Sequence, residues 1–141
     1  MRTRLSGVRT RRFIGAAVLG MGLLASSGCT TRTVQGRVIE GRASIATVAD
    51  PKEDRLVSEE DGGPAGVGGI EVRAFTDRGG ILDSATSGSD GRFRLRVPVR
   101  FSNRARVEAE GEGYLKCSSV LFLPADGRRV LVVLEPLSGG R

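Results

Sequence analysis

The sequence predicts an all-β protein, a sandwich of seven short strands behind an N-terminal signal peptide. Three observations carry this reading. Apolar and polar residues alternate at period two in several short runs, most clearly over Arg92–Val99. Turn residues rich in Gly and Asp punctuate the chain at intervals of about 8–12 residues, and glycine is abundant at 21 of 141 residues. No long helical period interrupts this pattern after residue 29.

The leader comes first. Residues 2–12 carry Arg2, Arg4, Arg9, Arg11 and Arg12 and no acid; the apolar run Phe13–Ala25 follows, then Ser26-Ser27-Gly28-Cys29. A basic region, an apolar region and small residues at a cleavage point make a secretory signal peptide. The small residues before Cys29 make it resemble a bacterial lipoprotein signal. That resemblance implies a diacylglyceryl group on the Cys29 sulfur, cleavage between Gly28 and Cys29, and a further acyl chain such as palmitate on the new amine. Ser27 and Gly28 fit the pattern, whereas Ser26 stands where Leu is usual. The alternatives are a peptide cut elsewhere to release a soluble domain, and a retained anchor helix. About thirteen apolar residues fall short of the roughly 20 that span a bilayer, and Gly15, Gly20 and Gly22 weaken a permanent helix further. Thr10-Arg11-Arg12-Phe13-Ile14 also resembles a twin-arginine export signal.

The lipoprotein reading divides the chain into a cleaved peptide over 1–28, a lipidated cysteine and spacer over 29–33, a domain over 34–136 and a tail over 137–141. Each buried CH₂ contributes about 0.8 kcal/mol, so two or three chains on one residue anchor firmly. Five of the 22 basic residues belong to the leader, which leaves 17 against 16 acids and a net charge of +1. The basicity of the whole chain is therefore an export signal, and nucleic acid is not an expected partner. About 113 mature residues make one small domain with a modest core.

The strands follow in order. Val34–Glu40 is the first, with Ser44–Val48 as a continuation after Gly41. Ala49–Gly69 carries Asp50, Glu53, Asp54, Glu59, Glu60 and Asp61 and then several glycines, which reads as an acidic surface-loop insertion. Ile70, Val72 and Ala74 alternate with Glu71, Arg73 and Phe75 in the second strand. Asp77–Gly80 is a turn, Ile81–Ser87 the third strand and Ser89-Asp90-Gly91 a turn. Phe93, Leu95, Val97 and Val99 alternate with Arg92, Arg94, Arg96 and Pro98 in the fourth, with Phe93 and Leu95 entering the core. Ala105–Glu110, Tyr114–Leu123 and Arg129–Glu135 complete the set. Val130–Leu134 is continuously apolar and so expected in the middle of a sheet or covered on both faces.

Taken together, Val34-x-Gly36-x-Val38, Gly63-Pro64-Ala65 with Gly69-Ile70-x-Val72-x-Ala74, Asp90-Gly91-Arg92-Phe93-x-Leu95, Val107-x-Ala109-x2-Gly111-x-Gly113-Tyr114 and Val130-x-Val132-x-Leu134-x-Pro136 resemble a carboxypeptidase regulatory-like domain. The resemblance covers residues 33–136 and implies a transthyretin-like, Cna-B-related Greek-key sandwich of seven strands that is generally non-catalytic. This chain departs from it in the acidic insertion and in Ser87-Gly88-Ser89-Asp90-Gly91, which lacks one acid of the family's turn.

Histidine and tryptophan are absent. Without histidine there is no Ser-His-Asp or Cys-His catalysis, no histidine-bound zinc and no histidine base. No catalytic residue, cofactor or metal site is therefore expected. The acids of 50–61 lack the fixed spacing of a calcium loop. Asp83 with Asp90 is a conceivable cation site, but a turn aspartate bonding its own backbone is the expected role for Asp90. Arg92, Arg94 and Arg96 make either a polyanion strip or cross-strand partners for Glu108 and Glu110, and pairing is expected because no aromatics interleave them. If Cys29 is lipidated, Cys117 has no disulfide partner and is expected as an inert core thiol. Function then reduces to a binding or structural module at the cell envelope, facing the periplasm or exterior, held by lipid on Cys29 and contacting an envelope protein or polysaccharide. A binder of carbohydrate or cell-wall polymer would show an exposed aromatic platform, and most aromatics here fall in core register. A carboxylate-pair enzyme using Asp83, Asp90, Glu108 or Glu110 is the one catalytic design the composition leaves.

Overall fold

The computed structural model describes residues 30–50, 52, 63–99, 104–125 and 127–138. The expected signal peptide, Cys29 and most of the acidic insertion lie outside the described residues. Within them are eight strands: β1 (Thr31–Glu40), β2 (Ile45–Ala49), β3 (Glu71–Phe75), β4 (Ile81–Thr86), β5 (Arg92–Pro98), β6 (Arg104–Glu110), β7 (Cys117–Phe122) and β8 (Arg129–Leu134). They form two four-stranded sheets, ordered β2-β8-β1-β5 and β4-β3-β6-β7. Paired neighbours are antiparallel apart from β1 and β8, which run parallel.

Period-two alternation sorts the side chains. Val34, Val38, Leu95, Val97, Val130 and Val132 from one sheet meet Val72, Ala74, Val107, Ala109, Cys117 and Leu121 from the other in a single core. Two sheets burying their inner faces against each other is the arrangement of a β-sandwich. The strand over Arg92–Pro98 reads buried at Phe93, Leu95 and Val97 and exposed at each arginine. Val99 leaves the pattern: it lies past the strand and is half exposed.

Eight strands stand where seven were read. Residues 45–49 do not prolong the first strand. After Gly41, whose N–H donates to Leu134 O, the chain reverses and pairs antiparallel with the far side of β8 as an edge strand of its own. β8 is internal, as its apolar run implied, but Leu131 and Val133 on its outer side are only partly buried. The strand read from Tyr114 begins at Cys117; Tyr114 itself makes an isolated bridge to Pro136. Thr31–Thr33, read as spacer, are already strand, paired with Pro98, Val97 and Arg96.

The turns fall where Gly and Asp placed them. Gly79, Gly91, Gly113 and Gly127 all hold positive φ, a region open to glycine at little cost. Asp90 Oδ1 accepts the N–H of Arg92 at 3.0 Å, an Asx turn. Ser87, buried beneath this turn, accepts the N–H of Ile70 at 3.0 Å and donates to Val67 O at 2.7 Å. The sandwich thus has two distinct ends. Thr31, Pro98, Arg104 and Phe122 share one, where the Arg32 guanidinium donates to Pro124 O at 2.6 Å. Glu40 and Tyr114 share the other, joined through the Tyr114 hydroxyl at 3.1 Å.

Candidate binding face

The sheet β4-β3-β6-β7 buries one face in the core and turns the other outward. Its register fixes which side chains share the outer face. Ile81 lies beside Phe75, Phe75 beside Arg106, Arg106 beside Val120, and Arg104 beside Phe122. Phe122 is 69% exposed, Ile81 61% and Val120 57%, while Phe75 is half-buried. Single exposed apolar residues need no explanation, whereas several on one sheet face make a candidate contact surface; Arg106 lies between Phe75 and Val120 in it.

Cations frame this patch. The Arg106 guanidinium lies 4.9 Å from the Phe75 ring centre and that of Arg73 lies 6.0 Å away, both drawn by the negative ring face. Towards the Glu40 end the face becomes charge-balanced. Glu108, with 15% of its side chain exposed, is met by Arg106 Nε at 3.1 Å, Lys116 Nζ at 3.3 Å and Arg73 at 4.0 Å. Glu110 accepts a bond from Arg73 at 3.0 Å. Towards the Thr31 end, the long Arg104–Asp77 contact of 3.9 Å is exposed on both sides, so the apolar patch there sits among loosely held charge.

The aromatics therefore do not follow the register expected of them. Of the described ones, Phe93 alone belongs to the buried core; Tyr114 packs against its margin, and Phe75 and Phe122 occupy the outer face. Phe122 follows Leu121 and precedes Leu123, both buried, so alternation placed it outside and its hydrophobicity concealed this.

The arginine strip also differs from expectation. Arg92, Arg94 and Arg96 lie opposite Arg37, Gln35 and Thr33 of β1, whereas Glu108 and Glu110 lie opposite Arg73 and Glu71 of β3 in the other sheet. The chain crosses between sheets in passing from β5 to β6, so strands adjacent in sequence are not neighbours. Arg92 pairs instead with Asp90 at 3.5 Å, and the Arg94 and Arg96 side chains make no ion pair among the described residues. Arg92, Arg94, Thr86 and Phe93 line an open hollow of ≈ 580 Å³ at the β4–β5 edge.

The remaining candidates are separated. Asp83 accepts the Arg96 N–H while Asp90 closes its own turn. No three His, Cys, Asp or Glu residues are grouped as metal ligands among the described residues. Cys117 is fully buried, with its sulfur 3.8 Å from Ser119 Oγ; burial pushes its pKa up, and the Ser119 hydroxyl offsets part of that. Lys116 points to the outer face, away from the thiol. Desolvation, then the Glu40 bond, raises the Tyr114 phenol. No described helix is long and apolar enough to cross a membrane. No protein-family model matches the chain, and no curated protein matches it either.

Proposed function

We propose that this chain is a lipid-anchored, non-catalytic binding module of the cell envelope, with residues 1–28 removed, Cys29 acylated and a Greek-key, carboxypeptidase regulatory-like sandwich facing the periplasm or exterior. The observation that carries the binding role is the outward cluster of Phe122, Val120, Ile81 and Phe75 on a sandwich whose core is otherwise closed. The leader and Cys29 support the anchor. A catalytic role draws no support from Glu108 and Glu110, because both carboxylates are held in ion pairs, with Arg73, Arg106 and Lys116 as the partners. Those cations occupy the carboxylate oxygens that a general acid or base would have to turn towards a substrate.

A second reading, contact with cell-wall carbohydrate, is favoured by one specific observation: the exposed Phe122 ring supplies the aromatic surface such a binder uses. The test begins with metabolic fatty-acid labelling. Wild-type protein should take up label and Cys29→Ala should take up none. Photo-crosslinking from position 122 in intact cells should then capture an envelope component, and crosslinking from position 71 should not. Unchanged labelling in Cys29→Ala removes the anchor; equal capture from both positions removes the binding face.

A further inference from the structure

We infer that the Thr31 end of the sandwich docks directly on the anionic phospholipid surface holding the Cys29 acyl chains. The inference rests on the lipoprotein reading and deepens it by giving the domain an orientation. Its first ground is chain length. The Thr30 carbonyl already accepts the N–H of Val99 at 2.8 Å, and β1 begins at Thr31. Cys29 is therefore one residue from the first rung of a sheet, and one residue reaches about 3.8 Å. The polar headgroup layer is about 5–7 Å thick on each leaflet. A sandwich tethered that closely cannot stand away from the surface, and its Thr31 end lies within the headgroup layer.

The second ground is what that end presents. Val99 is 50% exposed and Phe122 69%; exposed Val120 precedes Phe122 by two residues on β7, and exposed Ile81 opens β4 at the same end of the sheet. Residues facing solvent at the end of a domain are normally polar, and an apolar rim there suits an interface whose outer layer is wet and whose inner layer is not.

Charge is the third ground. Arg78, Arg96, Arg104 and Arg106 lie at or near this end, with Asp77 beside Arg104 and Asp83 bound to the Arg96 N–H. Glu40, Glu71, Glu110, Glu112 and Glu135 lie at or towards the opposite end, where Arg37, Arg73, Arg92 and Lys116 offset most of their charge, so the excess of cations falls at the Thr31 end. Arginines near an anionic leaflet each add attraction, and their long side chains reach the phosphates from a shallow position.

The experiment uses the full mature protein, purified with its lipid and reconstituted in phosphatidylethanolamine–phosphatidylglycerol vesicles carrying brominated acyl chains. A fluorophore is placed on Thr31→Cys or on Leu137→Cys at the Glu40 end; Cys117 is fully buried and stays unlabelled in the native protein. Mass spectrometry should show a diacylglyceryl adduct on Cys29. The label at 31 should be quenched and the label at 137 should not. A flexible Gly/Ser insert of about fifteen residues between Cys29 and Thr30 then separates tethering from surface affinity. Quenching at 31 should persist in it, fall about tenfold in docked fraction with Phe122→Asp or Arg104→Glu, and weaken at about 0.5 M salt. An adduct accompanied by loss of quenching once the insert is present overturns docking and leaves the anchor standing, as does insensitivity to both substitutions. Absence of the adduct overturns both readings.

Discussion

Asp83 holds the backbone N–H of Arg96 at 2.6 Å through its carboxylate. The two residues sit on edge strands of different sheets, β4 and β5. At the other side of the sandwich Ser119 Oγ of β7 accepts the N–H of Ala46 in β2 at 2.9 Å. Each pair of edges is thus joined by a side-chain acceptor in place of a further strand. An unpaired edge N–H is a template for pairing with another chain, and occupying it blunts that hazard.

Asp83→Ala should therefore lower stability by about 1–2 kcal/mol, the range for losing a charged acceptor at a partly exposed site. Asp83→Asn, which keeps an oxygen in place, should recover most of this. Urea unfolding midpoints at constant slope would measure both. An alanine variant as stable as wild type would show that the edge N–H is served equally well by water.

Gly91 is the turn residue with least freedom to change. Its φ is +77°, and a Cβ there would collide with the Val38 carbonyl oxygen. The Gly91 carbonyl meanwhile accepts the Val38 N–H at 2.8 Å, tying the turn to β1. Gly79 has φ +82° but open space around it. Gly79→Ala should cost about 1–2 kcal/mol from conformation alone, and Gly91→Ala clearly more. Equal melting temperatures for the two variants would mean that the Gly91 loop relaxes away from β1.

Most strands were legible because one buried face and one solvated face impose period two, and Phe93, Leu95, Val107 and Ala109 fall on the buried face accordingly. What stayed hidden depends on pairing rather than on local pattern. Residues 45–49 look like a continuation of β1 until β8, some 80 residues away, is placed between them. Arg94 and Glu108 look like partners because their strands are consecutive, and only the crossing between sheets parts them. Phe122 fell under the general expectation of core register for the aromatics, in which residue type outweighed position. The outward position of Phe122, on which the proposed binding face rests, was thus written in the alternation Leu121-Phe122-Leu123, which hydrophobicity alone masks.

Cys117 tests the core directly. Its thiol is fully buried and its pKa is raised, by desolvation above all. In a Cys29→Ser chain the native thiol should resist Ellman's reagent near neutral pH and react at once in denaturant. Linkage gives the sign at alkaline pH. The folded thiol ionises above the unfolded one, so its stabilising contribution is complete below the unfolded value and declines as pH rises through the window between the two. Cys117→Ala should flatten that alkaline decline. Rapid labelling of the native protein would place Cys117 at the surface.

Phe93 and Phe122 make the sharpest comparison, because residue type is held constant and only the environment differs. Phe93 is 4% exposed, and its ring fills the space over Gly36 where a Cβ would collide. Truncation leaves a cavity that a well-packed sandwich closes poorly, so Phe93→Ala should cost about 3–5 kcal/mol. Against a total of about 5–15 kcal/mol this threatens folding. Phe122 is 69% exposed, so Phe122→Ala should stay within about 0.5 kcal/mol. The same substitution should abolish whatever the outer face binds. A contact that depended on sandwich stability alone would instead follow Phe93, and it would survive Phe122→Ala. Similar losses of stability at both positions would exchange the inner and outer faces of one sheet, since a slip of one residue reverses every side chain on a strand.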